Sequence, residues 1–354
     1  MTDIIQQFRP KSFTLVRFID ELEVICSVFL AILFAHLLHT QNIGWAAFTG
    51  YMIMRSHVVD TLIRGALRLL GTVVGACLAF SVTFLLGHDL LLIALGISLV
   101  GGITLYLSVT SKYSYAWLFC GITYIMVGVD SLGQSFVQVE SFAMTRVVEV
   151  MAGIAASMTV SLISNLIKPK FKMKPAKVGL LDVVKFPLCE KYTVIHSIRA
   201  VLAIATLPFL EHFFDLRYLT QTAITIFVVL SVPLSTINNP QLISRRNFHR
   251  FLGCTLGGLL AIICLPFYQI NLGITALILC LGIFIGRHIE NSRQSFAYVG
   301  TQFVLVYLVV MVPDSLAYTS ADPGFSRLLG VIIGVILVEL SKFCILPLKK
   351  YWHL

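Results

Sequence analysis

The chain has 354 residues, of which 58% are apolar and only 12% are charged. Soluble domains average about 25% charged residues, and about 20 consecutive apolar residues are enough to cross a bilayer, so the composition indicates a membrane protein. A formal net charge of +9 is common in nucleic-acid-binding proteins, but stretches as long as 90–111 carry no charge, which argues against nucleic acid as a partner.

Twelve apolar spans follow one another along the chain, and we predict each of them to be a transmembrane helix. Their approximate positions are 22–39, 43–55, 67–87, 89–108, 114–130, 143–167, 195–212, 218–234, 249–267, 271–287, 294–312 and 325–347. The expected fold class is therefore an all-α polytopic membrane protein. The eight cysteines contain no Cys-x2-Cys pair and lie mostly in apolar runs, so we expect no disulfide, no metal site and no cofactor.

The basic residues predict the orientation of these spans. If the N-terminus is cytoplasmic, all of the 26 lysines and arginines except Arg146, Arg217 and Arg327 lie on the cytoplasmic side. Positive charge concentrates in cytoplasmic loops, so both termini are predicted to be cytoplasmic, as is the lysine-rich linker 169–192. The basic surface then faces the anionic lipid of the bilayer.

Two arginines and two glycines of the third span recur 182 residues later in the ninth: Arg64, Arg68, Gly71 and Gly75, then Arg246, Arg250, Gly253 and Gly257. The segment 114–117 recurs in the same way at 295–298, with an offset of 181. We therefore predict two parallel six-helix repeats, 1–168 and 193–354, related by a pseudo-twofold axis along the membrane normal. Glycines four apart form a flat helix face, so we expect all four to lie at helix contacts.

A finer repeat is present inside each half. Arg68, Gly71 and Gly75 resemble Arg146, Glu149 and Gly153 in spacing, on spans that run in opposite directions. Each half then consists of two inverted three-helix units, although glycine-rich helices can produce such a pattern by chance. The second helix of each unit is short and begins with an aromatic residue and a threonine. Short, interrupted spans at corresponding positions are typical of a transport site.

One stretch of the first half resembles a known family. The short helix that begins Gly44-Trp45-Ala-Ala-Phe-Thr49, followed by Arg68-x2-Gly71-Thr72-x2-Gly75, resembles the fusaric acid resistance family. The resemblance implies a bacterial inner-membrane protein that exports aromatic carboxylic acids. The six-helix unit also resembles, more distantly, the plant aluminium-activated malate transporters, which are anion channels. Many members of the first family carry a large cytoplasmic domain after the sixth helix, where this chain has only the linker.

We predict that the short spans surround a cavity for an organic acid. Its expected aromatic and polar wall is Trp45, Thr49, Trp117, Thr123, Tyr218, Thr220, Gln221, Tyr298, Thr301 and Gln302, with an aromatic belt at the interface as the alternative. Arg55, Arg146 and Arg327 would bind the carboxylate through their planar guanidinium groups. Arg64, Arg68, Arg246 and Arg250 are further candidates, and lipid contact is their alternative role.

Glu149 and Glu339 are acids within predicted spans and are candidates for carrying a coupling proton. Their alternative role is an ion pair inside the helix, with Arg146 and Lys342 respectively. No zinc-ligand, nucleophile-elbow or phosphate-loop motif is found, which argues against an enzyme and against ATP-driven transport.

The predicted function is proton-coupled secondary export of organic acids, mainly aromatic carboxylic acids, or of related toxic compounds. A passive anion channel of the malate kind is the alternative. The expected partners are the lipid bilayer, a small organic anion and a periplasmic adaptor protein.

Overall fold

The computed structural model describes residues 15–86, 90–130, 136–167, 191–214, 219–232, 237, 239–267, 271–292, 294–312 and 322–345. These residues form thirteen α-helices: α1 Leu15–Leu37, α2 Ile43–Ile53, α3 Val58–Leu86, α4 Leu90–Thr110, α5 Ser114–Asp130, α6 Phe136–Ile167, α7 Lys191–Ala205, α8 Leu207–Phe214, α9 Leu219–Leu230, α10 Pro240–Cys264, α11 Leu272–Glu290, α12 Ala297–Met311 and α13 Asp322–Cys344. Helices α7 and α8 together form one span, so the described helices match the twelve predicted spans. The all-α polytopic fold class is thus confirmed.

Apart from α1, the described helices fall into a long and a short class. Seven are long and apolar enough to cross a membrane: α3, α4, α6, the α7–α8 pair, α10, α11 and α13. Four are shorter apolar helices, namely α2, α5, α9 and α12. With 11 residues, α2 is about 16 Å long, roughly half the thickness of the hydrocarbon core. These four are the helices that the sequence predicts to be short.

Burial separates the two classes as a membrane requires. The long helices expose large apolar side chains such as Leu85, Leu166 and Phe343, which suits contact with lipid. The short helices are almost completely enclosed: nearly all of α2 and α12 is buried. Backbone of such short helices at membrane depth must be enclosed by protein or line a cavity, and this burial fits that requirement.

The helices pack on one another in matching pairs. Within the two predicted repeats, α3 packs on α5 as α10 packs on α12, and α2 packs on α6 as α9 packs on α13. Between them, α4 contacts α7 while α11 contacts α1, and α5 contacts α9 while α12 contacts α2. Two copies related by a twofold axis would give this reciprocity. The division into repeats and the position of the axis stay predictions.

The glycines of the repeated motif lie where helix backbones meet. A Cβ atom on Gly71 would lie 2.3 Å from the carbonyl oxygen of Ala116, and one on Gly75 would lie 2.4 Å from that of Cys120. The corresponding distances are 2.5 Å from Gly253 to Val299 and 2.3 Å from Gly257 to Phe303. Only glycine allows such an approach without displacing the neighbouring helix.

These contacts also correct the predicted register of α5 and α12. The partners of the glycines differ by 299 − 116 = 183 and 303 − 120 = 183, and not by 181. Tyr124 and Tyr307, also 183 apart, each donate a 2.7 Å hydrogen bond to a carbonyl of the preceding helix. Tyr298 therefore corresponds to Tyr115 and not to Trp117. The alignment of 114–117 with 295–298 was wrong by two residues. It rested on the similarity of four residues, whereas the correspondence depends on helix contacts that the sequence does not show.

Candidate functional site

Three of the buried arginine side chains lie on α3, α10 and α13, which pack on the short helices α5, α12 and α9. Arg68, Arg250 and Arg327 are 3%, 1% and 1% exposed. Arg68 and Arg250 each lie ten residues after the start of their helix, which is about 15 Å along its axis. None of the three forms an ion pair with a carboxylate in the part of the chain that the structure describes. We call Arg68, Arg250 and Arg327 the arginine centre.

Aromatic rings hold two of these arginines. The guanidinium carbon of Arg68 lies 4.0 Å from the ring centre of Phe119 and 5.5 Å from that of Phe48. Arg327 approaches the same Phe48 ring at 5.9 Å. Stacking on a ring stabilises a guanidinium but satisfies none of its N–H groups. Among the described residues, Nε and Nη1 of both arginines have no hydrogen-bond acceptor.

Polar side chains hold the third arginine. Arg250 donates from Nη1 to Oε1 of Gln302 at 2.7 Å and from Nε to the hydroxyl oxygen of Thr225 at 3.3 Å. Only its Nη2 remains buried without an acceptor in the described residues. The centre thus offers several unsatisfied donors and a net positive charge, which is the arrangement that binds an anion.

Arg146, which was predicted to bind the carboxylate, lies beside aromatic rings but has a counter-ion. Its Nη1 is 3.0 Å from Oε2 of Glu149, and its guanidinium lies 4.5 Å from the Trp45 ring and 4.7 Å from the Phe142 ring. Glu149 is completely buried and also accepts from the backbone N–H of Asn42 at 3.1 Å. Arg146 and Glu149 therefore form a locally neutral pair.

The other predicted wall residues lie in several places. Thr49 is fully buried and donates to the carbonyl of Trp45 at 2.9 Å, as Thr225 does to that of Gln221 at 2.8 Å. Thr123 and Gln302 are buried, whereas the half-buried side chains are Trp45, Trp117, Thr220, Gln221, Tyr298 and Thr301. Tyr218 lies outside the described residues.

Two predicted residues lie apart from the arginine centre. Arg55 sits at the junction of α2 and α3, where its Nη1 donates to the carbonyl of Met54 at 3.0 Å. Glu339 is partly exposed near the end of α13, where it pairs with Lys342 and accepts from Asn247 at 2.9 Å. In the described ranges, no group of histidine, cysteine, aspartate and glutamate side chains has the arrangement of a metal site.

Phe48 and Phe119 were missed by the sequence reasoning, and Arg68 and Arg250 were named only as further candidates. The signal for the arginines was their repetition at an offset of 182. Phe48 lies within the motif that resembles the fusaric acid resistance family but was given no role there, and Phe119 was not singled out among the 25 phenylalanines.

A second charged cluster was missed as well, at the predicted cytoplasmic end. Arg287 donates to both carboxylate oxygens of Asp20, at 2.9 and 3.2 Å, and lies 3.2 Å from Glu290, whose other oxygen accepts from Tyr51 at 2.5 Å. Glu21, fully buried, accepts from Nδ1 of His288 at 2.8 Å. We call Asp20, Glu21, Arg287, His288 and Glu290 the α1–α11 network, because it joins those two helices.

Comparison with known proteins bears on the first half of the chain. Residues 30–160 match the family model described as fusaric acid resistance protein-like, and no curated protein or solved structure matches. The matched range includes α2 with Trp45 and Phe48, α3 with Arg68, and most of α6. The match supports a role in membrane transport or efflux for a multi-pass membrane protein. The match over residues 30–160 thus agrees with the resemblance to the fusaric acid resistance family that the motifs of the first half predicted.

Proposed function

We propose that this protein exports organic anions, chiefly aromatic carboxylic acids, across the bacterial inner membrane as a proton-coupled secondary transporter. The observation that supports the proposal is the arginine centre. Three guanidinium groups are buried, and among the described residues several of their donors lack acceptors and none of the three forms an ion pair with a carboxylate. A charged group at this depth is costly unless it serves a purpose.

A carboxylic acid with an aromatic ring suits the centre in two ways. Its carboxylate accepts hydrogen bonds from a planar guanidinium, often two at once. Its ring finds apolar and aromatic surface at Phe48 and Phe119, which already flank Arg68. Binding sites for small molecules typically combine an apolar wall with a few placed polar groups. A hydrated inorganic ion would use the arginines but gain nothing from the rings.

Proton coupling is assigned to the Arg146–Glu149 pair. Glu149 is completely buried and paired with Arg146, whose guanidinium lies 4.5 Å from the ring of Trp45, one helix turn before Phe48. Its protonation would remove the negative charge that lies 3.0 Å from Arg146. The charge of that region would then change by one with each proton, so the protonation of Glu149 and anion binding would be thermodynamically linked.

The proposal is tested by flux of benzoate into liposomes that contain the purified protein, with and without a pH gradient. We expect accumulation against the benzoate gradient only when the pH gradient is present. A flux that simply runs down the anion gradient would instead support the passive channel. Arg327→Gln should lower benzoate transport by about tenfold or more, since one charge-assisted contact corresponds to at least about 1.4 kcal/mol.

The matched control is Arg245→Gln, which removes an equal charge from an exposed position on α10. It should leave transport within about twofold of the unsubstituted protein. Equal transport by both variants would contradict a role for the arginine centre.

A further inference from the structure

The two arginines that correspond to each other in the predicted repeats have different surroundings. Arg68 and Arg250 are 182 residues apart, and the glycine contacts place Phe119 and Gln302 at corresponding positions with an offset of 183. Both arginines contact the residue at that position. Arg68 lies on the ring of Phe119 at 4.0 Å, whereas Arg250 donates to the amide oxygen of Gln302 at 2.7 Å.

The neighbouring threonines repeat this difference. Thr49 and Thr225 face Gly153 and Gly334 in the same way, and each donates to the carbonyl four residues before it. The hydroxyl of Thr225 also accepts from Arg250 at 3.3 Å, whereas no such bond joins Thr49 to Arg68 in the described structure. Arg250 therefore has two of its donor groups occupied by the protein. Arg68 has Nε and Nη1 unsatisfied, beside an aromatic surface.

We infer that Phe119 and Gln302 are a specificity-determining pair that decides on which side of the pseudo-twofold axis the anion binds. The carboxylate binds Arg68, with the ring of the substrate against Phe119 and with Arg327 on the neighbouring ring of Phe48. Gln302 acts as a positioning residue that occupies Arg250 and keeps it from binding the anion. The inference rests on the proposed function. It adds in which half of the molecule the anion binds, which side chains it contacts, and that Phe119 and Gln302 determine this choice.

The first test compares two single variants by calorimetric titration of the detergent-purified protein with benzoate. Both arginines belong to the arginine centre, so both variants should weaken benzoate binding, but Arg68→Gln by about tenfold or more and Arg250→Gln by only about two- to threefold. Both remove one buried charge from corresponding positions, so a general effect of charge removal would appear equally in both. Equal losses would overturn the inference and leave the proposed function standing.

The second test exchanges the pair. In the double variant Phe119→Gln with Gln302→Phe, Arg68 gains an amide acceptor and Arg250 gains an aromatic face. The effects of the two arginine substitutions on benzoate affinity should then reverse. In this background Arg250→Gln should lower the affinity by about tenfold, and Arg68→Gln should lower it only slightly. A purely structural role for the two side chains would not reverse the order.

Gln302→Ala provides a variant that adds no bulk to the packed helix contact. It removes the acceptor of Arg250, so in this background Arg250→Gln should lower benzoate affinity by more than about threefold. The inference is overturned if Arg68→Gln still weakens benzoate binding more than Arg250→Gln in the exchanged variant, and if Gln302→Ala does not increase the effect of Arg250→Gln. If the unsubstituted protein binds no benzoate or related aromatic acid, both the inference and the proposed function are overturned.

Discussion

At the scale of single residues, the two predicted proton carriers differ in their surroundings. The side chain of Glu149 is fully buried and paired with Arg146, while that of Glu339 is 40% exposed beside Lys342. A surface ion pair stabilises a protein by about 1 kcal/mol or less and titrates with little consequence. A buried carboxylate that loses its charge leaves its partner uncompensated. Glu149 is therefore the acid whose protonation would alter the arginine centre.

Glu149→Gln should abolish the response of transport to the pH gradient. The amide keeps the hydrogen-bonding shape of the side chain but cannot bind or release a proton, so gradient-driven benzoate accumulation should fall about tenfold or more. Exchange of benzoate without a gradient should persist. Measurements in liposomes with Glu339→Gln as the control separate coupling from folding. Gradient-driven accumulation that survives in Glu149→Gln would exclude this acid as the carrier.

The predicted arginines show what a sequence can and cannot tell at this scale. Arg327 was named because positive charge is scarce on the predicted outer side, and it lies in the centre. Arg68 and Arg250 were grouped with the cytoplasmic charges, because the apolar runs placed the helix starts near them, whereas both lie nearly three turns inside their helices. Arg55 was preferred to them and lies at a helix junction. How deeply an arginine side chain is buried, and which helix it contacts, depends on how the helices pack. The sequence of a single helix does not contain this information.

At the scale of helices, the positions of the spans were predicted well and their ends less well. A long apolar run marks the part of a helix that lies in the hydrocarbon, because only that part has to be apolar. The helical hydrogen bonds of the backbone do not require apolar side chains, so a helix can extend beyond its apolar run. Helix α3 therefore begins at Val58, before Asp60 and Arg64, where the apolar run predicted a start at 67.

The contact between α10 and α12 predicts a sharp difference between two adjacent glycines. A Cβ atom on Gly257 would lie 2.3 Å from the carbonyl oxygen of Phe303, whereas one on Gly258 would lie 3.6 Å from Val306, an ordinary contact. Gly257→Ala should lower the melting temperature in detergent by several degrees, because overpacking costs about 1–3 kcal/mol. Gly258→Ala should leave it unchanged or raise it, since alanine favours helix by about 1 kcal/mol. Equal melting of both variants would contradict the close approach of the two backbones.

At the scale of the whole molecule, the halves show similar packing but unequal chemistry. Tyr124 and Tyr307 are 183 residues apart, and the carbonyls that accept from them, Gly96 and Ile278, are 278 − 96 = 182 apart. Arg287 then corresponds to Leu105, which is fully buried. The α1–α11 contact is thus made by charges, while the reciprocal contact of α4 and α7 packs Gly102 against Val201. A motif search finds what the halves share, so the sequence reasoning overlooked this difference.

The α1–α11 network should be the stronger of the two contacts between the halves, and Arg287→Met tests it. The substitution leaves Asp20, which is 8% exposed, without its charged partner, and breaking a buried pair from one side costs about 3–5 kcal/mol. The apparent melting temperature in detergent should fall by about 5 °C or more. Adding Asp20→Asn removes the stranded charge and should restore part of the loss, whereas Arg245→Met at an exposed position should have no effect. If Arg287→Met melts like the unsubstituted protein, the network does not hold the halves together, and their association rests on apolar packing at both contacts.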